Sequence, residues 1–220
     1  MKRAFLFLLI LPFAFSCNSE PEPDFFDPYS DTYDLYMAGE ISEDEAIEAI
    51  EKFVEDNPGE EVGFLFLGFL HERKSDWNSA EESFRSAIAI NSKSYQAYNG
   101  IGFVMITRGQ FDSSAIYLNK ALELNSKNAY SEINLAVGQI LTGDTLTALS
   151  NIEKSLTKER NSYNSAIAAL IWEANGDLER SIEIREEALE LNAEFFTAPG
   201  IILESNGSFD QWVQSFSTGR

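Results

Sequence analysis

Cys17, His71 and a dense run of carboxylates are the side chains here with chemistry to offer. Cys17 is the single cysteine and His71 the single histidine. A disulfide within the chain is therefore impossible, and a Cys/His metal site lacks its ligands. Nucleophilic hydrolysis would need the histidine held between a nucleophile and a carboxylate. No G-x-S-x-G turn and no glycine-rich phosphate loop accompanies it. Of the 36 acidic residues, 16 fall between Glu20 and Glu61, with Lys52 as their one cation. Calcium loops gather oxygen ligands around a glycine turn; Glu43, Asp44, Glu45 and Glu48 have none. These acids read as a solvated helix face or, more sharply, as a dock for a basic partner. The sequence thus predicts a chain that is not an enzyme, with no cofactor and no metal.

What remains is a binding role, and composition limits the partner. The 220 residues carry a formal net charge of −20, which argues against nucleic acid, since neutralising phosphate takes Lys and Arg. It argues equally against a basic membrane-binding face. A hydrophobic fraction of 44% is ample for a folded core. The length suits one domain or one short repeat array.

The first residues look like an address rather than a fold. Lys2 and Arg3 precede an apolar run, Ala4–Phe15, broken only by Pro12. A spanning helix needs about 20 apolar residues, so the run fits the apolar core of a secretory signal. It ends Ala14-Phe15-Ser16-Cys17, which resembles the lipobox of bacterial lipoproteins. That resemblance implies a signal peptide over 1–16, cleavage before Cys17, and lipid attachment at the Cys17 thiol. Two or more acyl chains make a stable anchor where one is marginal. Residues 17–28, rich in proline and acid, read as an extended tether. The expected location is the cell envelope, lipid-anchored, at the outer membrane on its periplasmic or surface side.

Beyond the tether the chain repeats. Asn57, Asn91 and Asn125 recur at intervals of 34 residues, each behind an apolar helix end, and Asn192 continues the series. Asparagine tolerates the left-handed conformation that closes a helix, so these read as equivalent stops. Gly109, Gly143 and Gly176 recur in step, with Ser75 in the preceding slot. Small residues Gly68, Gly102, Ala136 and Ala169 sit midway along alternate helices. Ala80, Ala87, Ala121, Ala148 and Ala188 answer them from the partner helices. Large apolar residues such as Phe64, Leu67, Phe84, Ile101 and Leu118 fill the space between. A box Ser42-Glu43-Asp44-Glu45 opens a further helix ahead of Pro58.

This period, with two helices per unit, resembles the tetratricopeptide repeat (TPR). The resemblance implies an all-α, right-handed α-solenoid of antiparallel helix pairs over 29–220. Units fall near 29–60, 61–94, 95–128, 129–161 and 162–195, with a degenerate one at 196–216. It puts His71 in a packing slot that is usually aromatic. It also implies a concave groove lined by the first helix of each unit. Carried over residue by residue, the groove candidates are Val62, Leu65, Phe69, Asn99, Phe103, Ile106, Tyr130, Ile133, Val137 and Ile140. This lining is apolar, and carboxylate clamps of the family need Lys, Arg and Asn together, of which Asn99 and Arg73 alone are present. These apolar residues either pack against neighbouring helices in a tightly wound array or, where exposed, mark a partner site. The expected function is a membrane-anchored TPR scaffold holding a protein or peptide in that groove. The alternative is a structural accessory subunit of an outer-membrane assembly or export machine.

Overall fold

The computed structural model describes residues 30–191. The expected signal peptide, Cys17, the expected tether, Asn192 and the expected degenerate unit all lie outside the described residues.

The described residues form ten helices. The first unit pairs α1 (Ser30–Met37) with α2 (Glu43–Asp56). The next pairs are α3 (Glu61–Arg73) with α4 (Trp77–Ile90) and α5 (Tyr95–Thr107) with α6 (Phe111–Leu124). Then come α7 (Ala129–Leu141) with α8 (Thr145–Lys158), and α9 (Ser162–Ala174) with α10 (Leu178–Leu191). Each helix packs on the next along the chain, and the first helices α3, α5, α7 and α9 also touch in series. The result is the expected α-solenoid.

Helix ends explain the regularity. Every turn inside a pair carries one residue with positive φ: Gly39, Ser75, Gly109, Gly143 and Gly176. The amide after each donates back to the carbonyl five residues earlier, as from Gln110 to Met105 and from Asp144 to Gln139, at 2.8–2.9 Å. This closes the first helix and satisfies carbonyls it would otherwise leave bare. Ser75 alone among them pays the Cβ penalty of that conformation. Asp76 and Asp144 then cap the second helices, accepting from the amides of Ser79 and Thr147. The box at Ser42 forms as expected: Ser42 Oγ accepts from Glu45, whose carboxylate takes the Ser42 amide at 2.8 Å.

The asparagine stops work differently from the sequence reading. Asn57, Asn91 and Asn125 do end their helices, but with φ between −126° and −140°. None is left-handed. Asn91 and Asn125 instead accept from the amides of Lys93 and Lys127 at 3.0 Å, turning the chain toward the next unit through their side chains.

The core is built from large residues seated on small ones. Phe84 of α4 is fully buried. Its ring lies against Gly68 of its own unit and Gly100 of the next, and a Cβ on either glycine would overlap it. Leu118 repeats the seat one unit on, where a Cβ on Gly102 would stand 2.6 Å from Leu118 Cγ. Gly100→Ala should therefore cost about 1–3 kcal/mol in urea unfolding. Gly138 has Ile106 no nearer than 3.9 Å. Gly138→Ala should instead leave stability unchanged or raise it by up to about 1 kcal/mol, the gain of alanine over glycine within a helix.

Candidate functional site

The groove candidates come from consecutive first helices that pack against each other, and this contact decides their exposure. Leu65, Phe69, Phe103, Ile106, Ile133, Val137 and Ile140 are buried. Phe103, Ile106, Ile133, Val137 and Ile140 share one core with Ile167, Leu170 and Ile171 of α9. Leu65 joins the core around Phe84, and Phe69 the aromatic cluster at the start of the array. Val62, Asn99 and Tyr130 are half-buried. The expected open apolar stripe is thus corrected to a closed seam between first helices. Its cause is the small residues that let neighbouring helices approach, so that each apolar side chain meets the next helix instead of solvent.

The inner side that remains reachable is a polar rim along the first turns of α5 and α7. Gln96 and Asn99 are half-exposed there, with Tyr130 one unit on. Asn99 Oδ1 accepts from Ser131 Oγ at 2.9 Å and from Asn134 Nδ2 at 3.2 Å. Its amide nitrogen has no partner among the described residues and remains a donor. Tyr130 donates to Glu159 Oε1 at 3.3 Å and accepts from Asn161 Nδ2 at 3.4 Å. Burial and the Glu159 charge push the Tyr130 hydroxyl far above its ordinary range, so it stays protonated. Ser131, Asn134 and Glu159 were not singled out from sequence. The polar residues Ser131 and Asn134, three apart on α7, were the available signal.

Charge elsewhere is mostly tied into the fold. Glu43 and Asp44 of α2 pair with Arg73 at the end of α3 and with Lys74 just after it, which binds part of the acidic run to the array. Exposed Glu48, Glu51, Glu55 and Asp56 make up the rest of that face. Glu132 stands in the slot that holds Phe64 and Tyr98 in earlier units, and is neutralised by Lys158 at 2.8 Å. Arg185 stands in the slot of Phe84 and pairs with Glu173. On the outer side a cavity of about 420 Å³ between α4 and Arg108 is walled by Glu81 and Arg85. Burial raises the Glu81 pKa, but Arg108 and Arg85 outweigh it and hold the carboxyl below its ordinary range. These two guanidiniums are thereby committed to the fold. His71 is half-buried on α3, and desolvation lowers its pKa.

Glu72 is the exception. It is buried on the inner side of α3, and its Oε1 has no hydrogen-bond partner among the described residues. Desolvation raises its pKa well above the usual carboxylate range. The unfolded chain releases that proton at lower pH than the folded one, so stability falls as pH rises from the unfolded pKa toward the folded one. Equivalent positions hold Ile106 and Ile140. Glu72→Leu should therefore stabilise the protein by about 1–3 kcal/mol at pH 7. The gain should shrink toward pH 4, as read from urea melts across that range.

Residues 95–128 match the sequence profile of the Tetratricopeptide repeat family. Among curated proteins, the anaphase-promoting complex subunit 3 of Schizosaccharomyces pombe is 27% identical over 85 residues. That match spans 39% of this chain and 13% of the yeast protein, so this chain corresponds to a small part of it. Among solved structures, TTC0263, a thermophilic TPR protein of Thermus thermophilus, superposes with a TM-score of 0.70 at 18% identity, covering 78% of this chain and 94% of its own. PilW, a widely conserved type IV pilus biogenesis factor, superposes at 0.64 and 19% identity, covering 85% and 88%. The fold is that of a right-handed tetratricopeptide-repeat solenoid.

Proposed function

We propose that this chain is a lipid-anchored scaffold of a bacterial cell envelope that holds a protein or peptide partner along the inner rim of its helix array. The observation that carries the partner reading is the row Gln96, Asn99 and Tyr130. It offers hydrogen-bonding side chains beside a closed apolar seam, with the Asn99 amide still free to donate. Such a row suits the main-chain carbonyls of an extended segment, while the packed seam keeps the platform rigid. The anchor reading rests on the sequence of residues 2–17, and a mature chain beginning at Cys17 would carry its array on a short acidic tether. The likeness to a pilus biogenesis factor favours a second reading, an accessory subunit of an outer-membrane assembly or export machine.

A photo-crosslinking residue at Gln96 should capture a partner in the native envelope, and one at exposed Ile116 on the outer side should not. Equal capture at both would contradict the rim. A single stoichiometric partner complex would support the machine subunit, and many peptides the general scaffold. Cys17→Ala should move the protein from the membrane to the soluble fraction; continued palmitate labelling of that variant would overturn the anchor.

A further inference from the structure

Buried polar groups are not handled alike along the array. Glu72 and Arg73 at the end of α3 each leave one charged-group atom without a partner among the described residues, but the buried neutral side chains from α3 to Asn151 of α8 are bonded. Ser83 Oγ donates to the Ser79 carbonyl and Ser114 Oγ to the Gly102 carbonyl, both at 2.8 Å. Ser131 and Asn134 bond Asn99, and Asn151 donates to Gln139 Oε1 at 2.8 Å. At the junction of α8 with α9 this changes. Ser155 Oγ, Asn164 Oδ1 and Ser165 Oγ are buried with no hydrogen-bond partner among the described residues, and so is Glu132 Oε2 beside them on α7.

The equivalent positions of other repeats hold different residues. Ser155 stands where α4, α6 and α10 have Ala87, Ala121 and Ala188, and Ser165 stands where α3 and α5 have Phe64 and Tyr98. An alanine needs no partner and an aromatic ring fills space. A buried hydroxyl or carboxamide oxygen without a partner keeps its desolvation cost with nothing to offset it. The orphaned groups come from the last turns of α8 and the first turns of α9, flanking the linker Glu159-Arg160-Asn161. Opening at this junction would return those groups to water, whereas opening at the Phe84 seat would expose apolar residues such as Leu65, Ile101 and Val104. In a solenoid each unit is held mainly by its neighbour, so the weakest junction opens first.

We infer that α9 and α10 detach from the array as one body, hinged at residues 159–161, while α3–α8 stay closed. The helix that loses its cover is α7. Its buried Ile133, Val137 and Ile140 lie in the core shared with α9, so the detached state presents an apolar face that the closed state hides. This deepens the scaffold reading by giving the array two states with different inner surfaces. The opening itself requires no partner.

Hydrogen exchange of the full chain tests it. Amides of α9 and α10 should exchange together, with one common opening equilibrium and faster than those of α3–α6. Ser155→Ala should slow exchange in both helices by about fivefold or more, as follows from relieving one orphaned hydroxyl, and leave α3–α6 unchanged. Ser165→Ala, on the other side of the junction, should do the same. Two results would overturn the inference: α10 exchanging well ahead of α9, which is end fraying, or rates in α9–α10 indifferent to both substitutions. Because exchange is read without a partner, failure of the rim crosslink would leave this outcome standing, and the converse also holds.

Discussion

The seating of the Phe84 ring between Gly68 and Gly100 is the contact on which the rest of the array depends. It is a packing constraint with two owners. Gly68 lets α4 close on its own partner helix, and Gly100 lets the following unit close on α4. Burying such a ring stabilises by about 1.5–3 kcal/mol, but the gain requires space that only glycine leaves at both sites. The same device holds Leu118 against Gly102. Farther along, Ile152 fills the slot and Ala136 and Ala169 stand where Gly68 and Gly102 do, and at α10 the slot is ionic, with Arg185 held by Glu173. The packing device thus weakens in steps along the chain.

Close approach of the helices has a second consequence. First helices brought this near bury each other's apolar residues, which turns an expected binding stripe into a structural seam. In the proposed scaffold, recognition falls to groups that keep hydrogen-bonding capacity at the rim, such as Asn99 with one side of its amide bonded and the other open. The acidic α2 is likewise partly absorbed into the fold through Arg73 and Lys74. Scaffold and surface are therefore made of the same helices, divided by depth: apolar and shared inside, polar and accessible at the edge.

The interval of 34 residues, the turn glycines and the small residues midway along first helices were enough to place the helix pairs, because they encode local conformation and near-neighbour packing. Gly100 escaped notice. It lies two residues before Gly102, in a slot filled by Phe66, Asn134 and Ile167 elsewhere, so no recurrence marks it. The asparagine stops were legible as ends but not as conformations, since asparagine closes a helix either through its backbone or through its side chain. Burial of the groove residues was one of two readings the sequence left open, packing against neighbouring helices or exposure to a partner. It follows from the separation of successive first helices, which is set jointly by side-chain sizes in four helices at once. The serines at the α8–α9 junction kept the pattern of small residues while changing what they need from their surroundings.

Unfolding the central seat tests this account most directly. Phe84→Ala leaves both glycines without a ring to hold and should lower stability by about 3–5 kcal/mol. Mapped by hydrogen exchange, the loss of protection should fall on α3, α4 and α5 and spare α7 and α8. Uniform loss across all helices, or a variant as stable as the parent, would contradict the claim that this seat joins α3 and α4 to the unit that follows them.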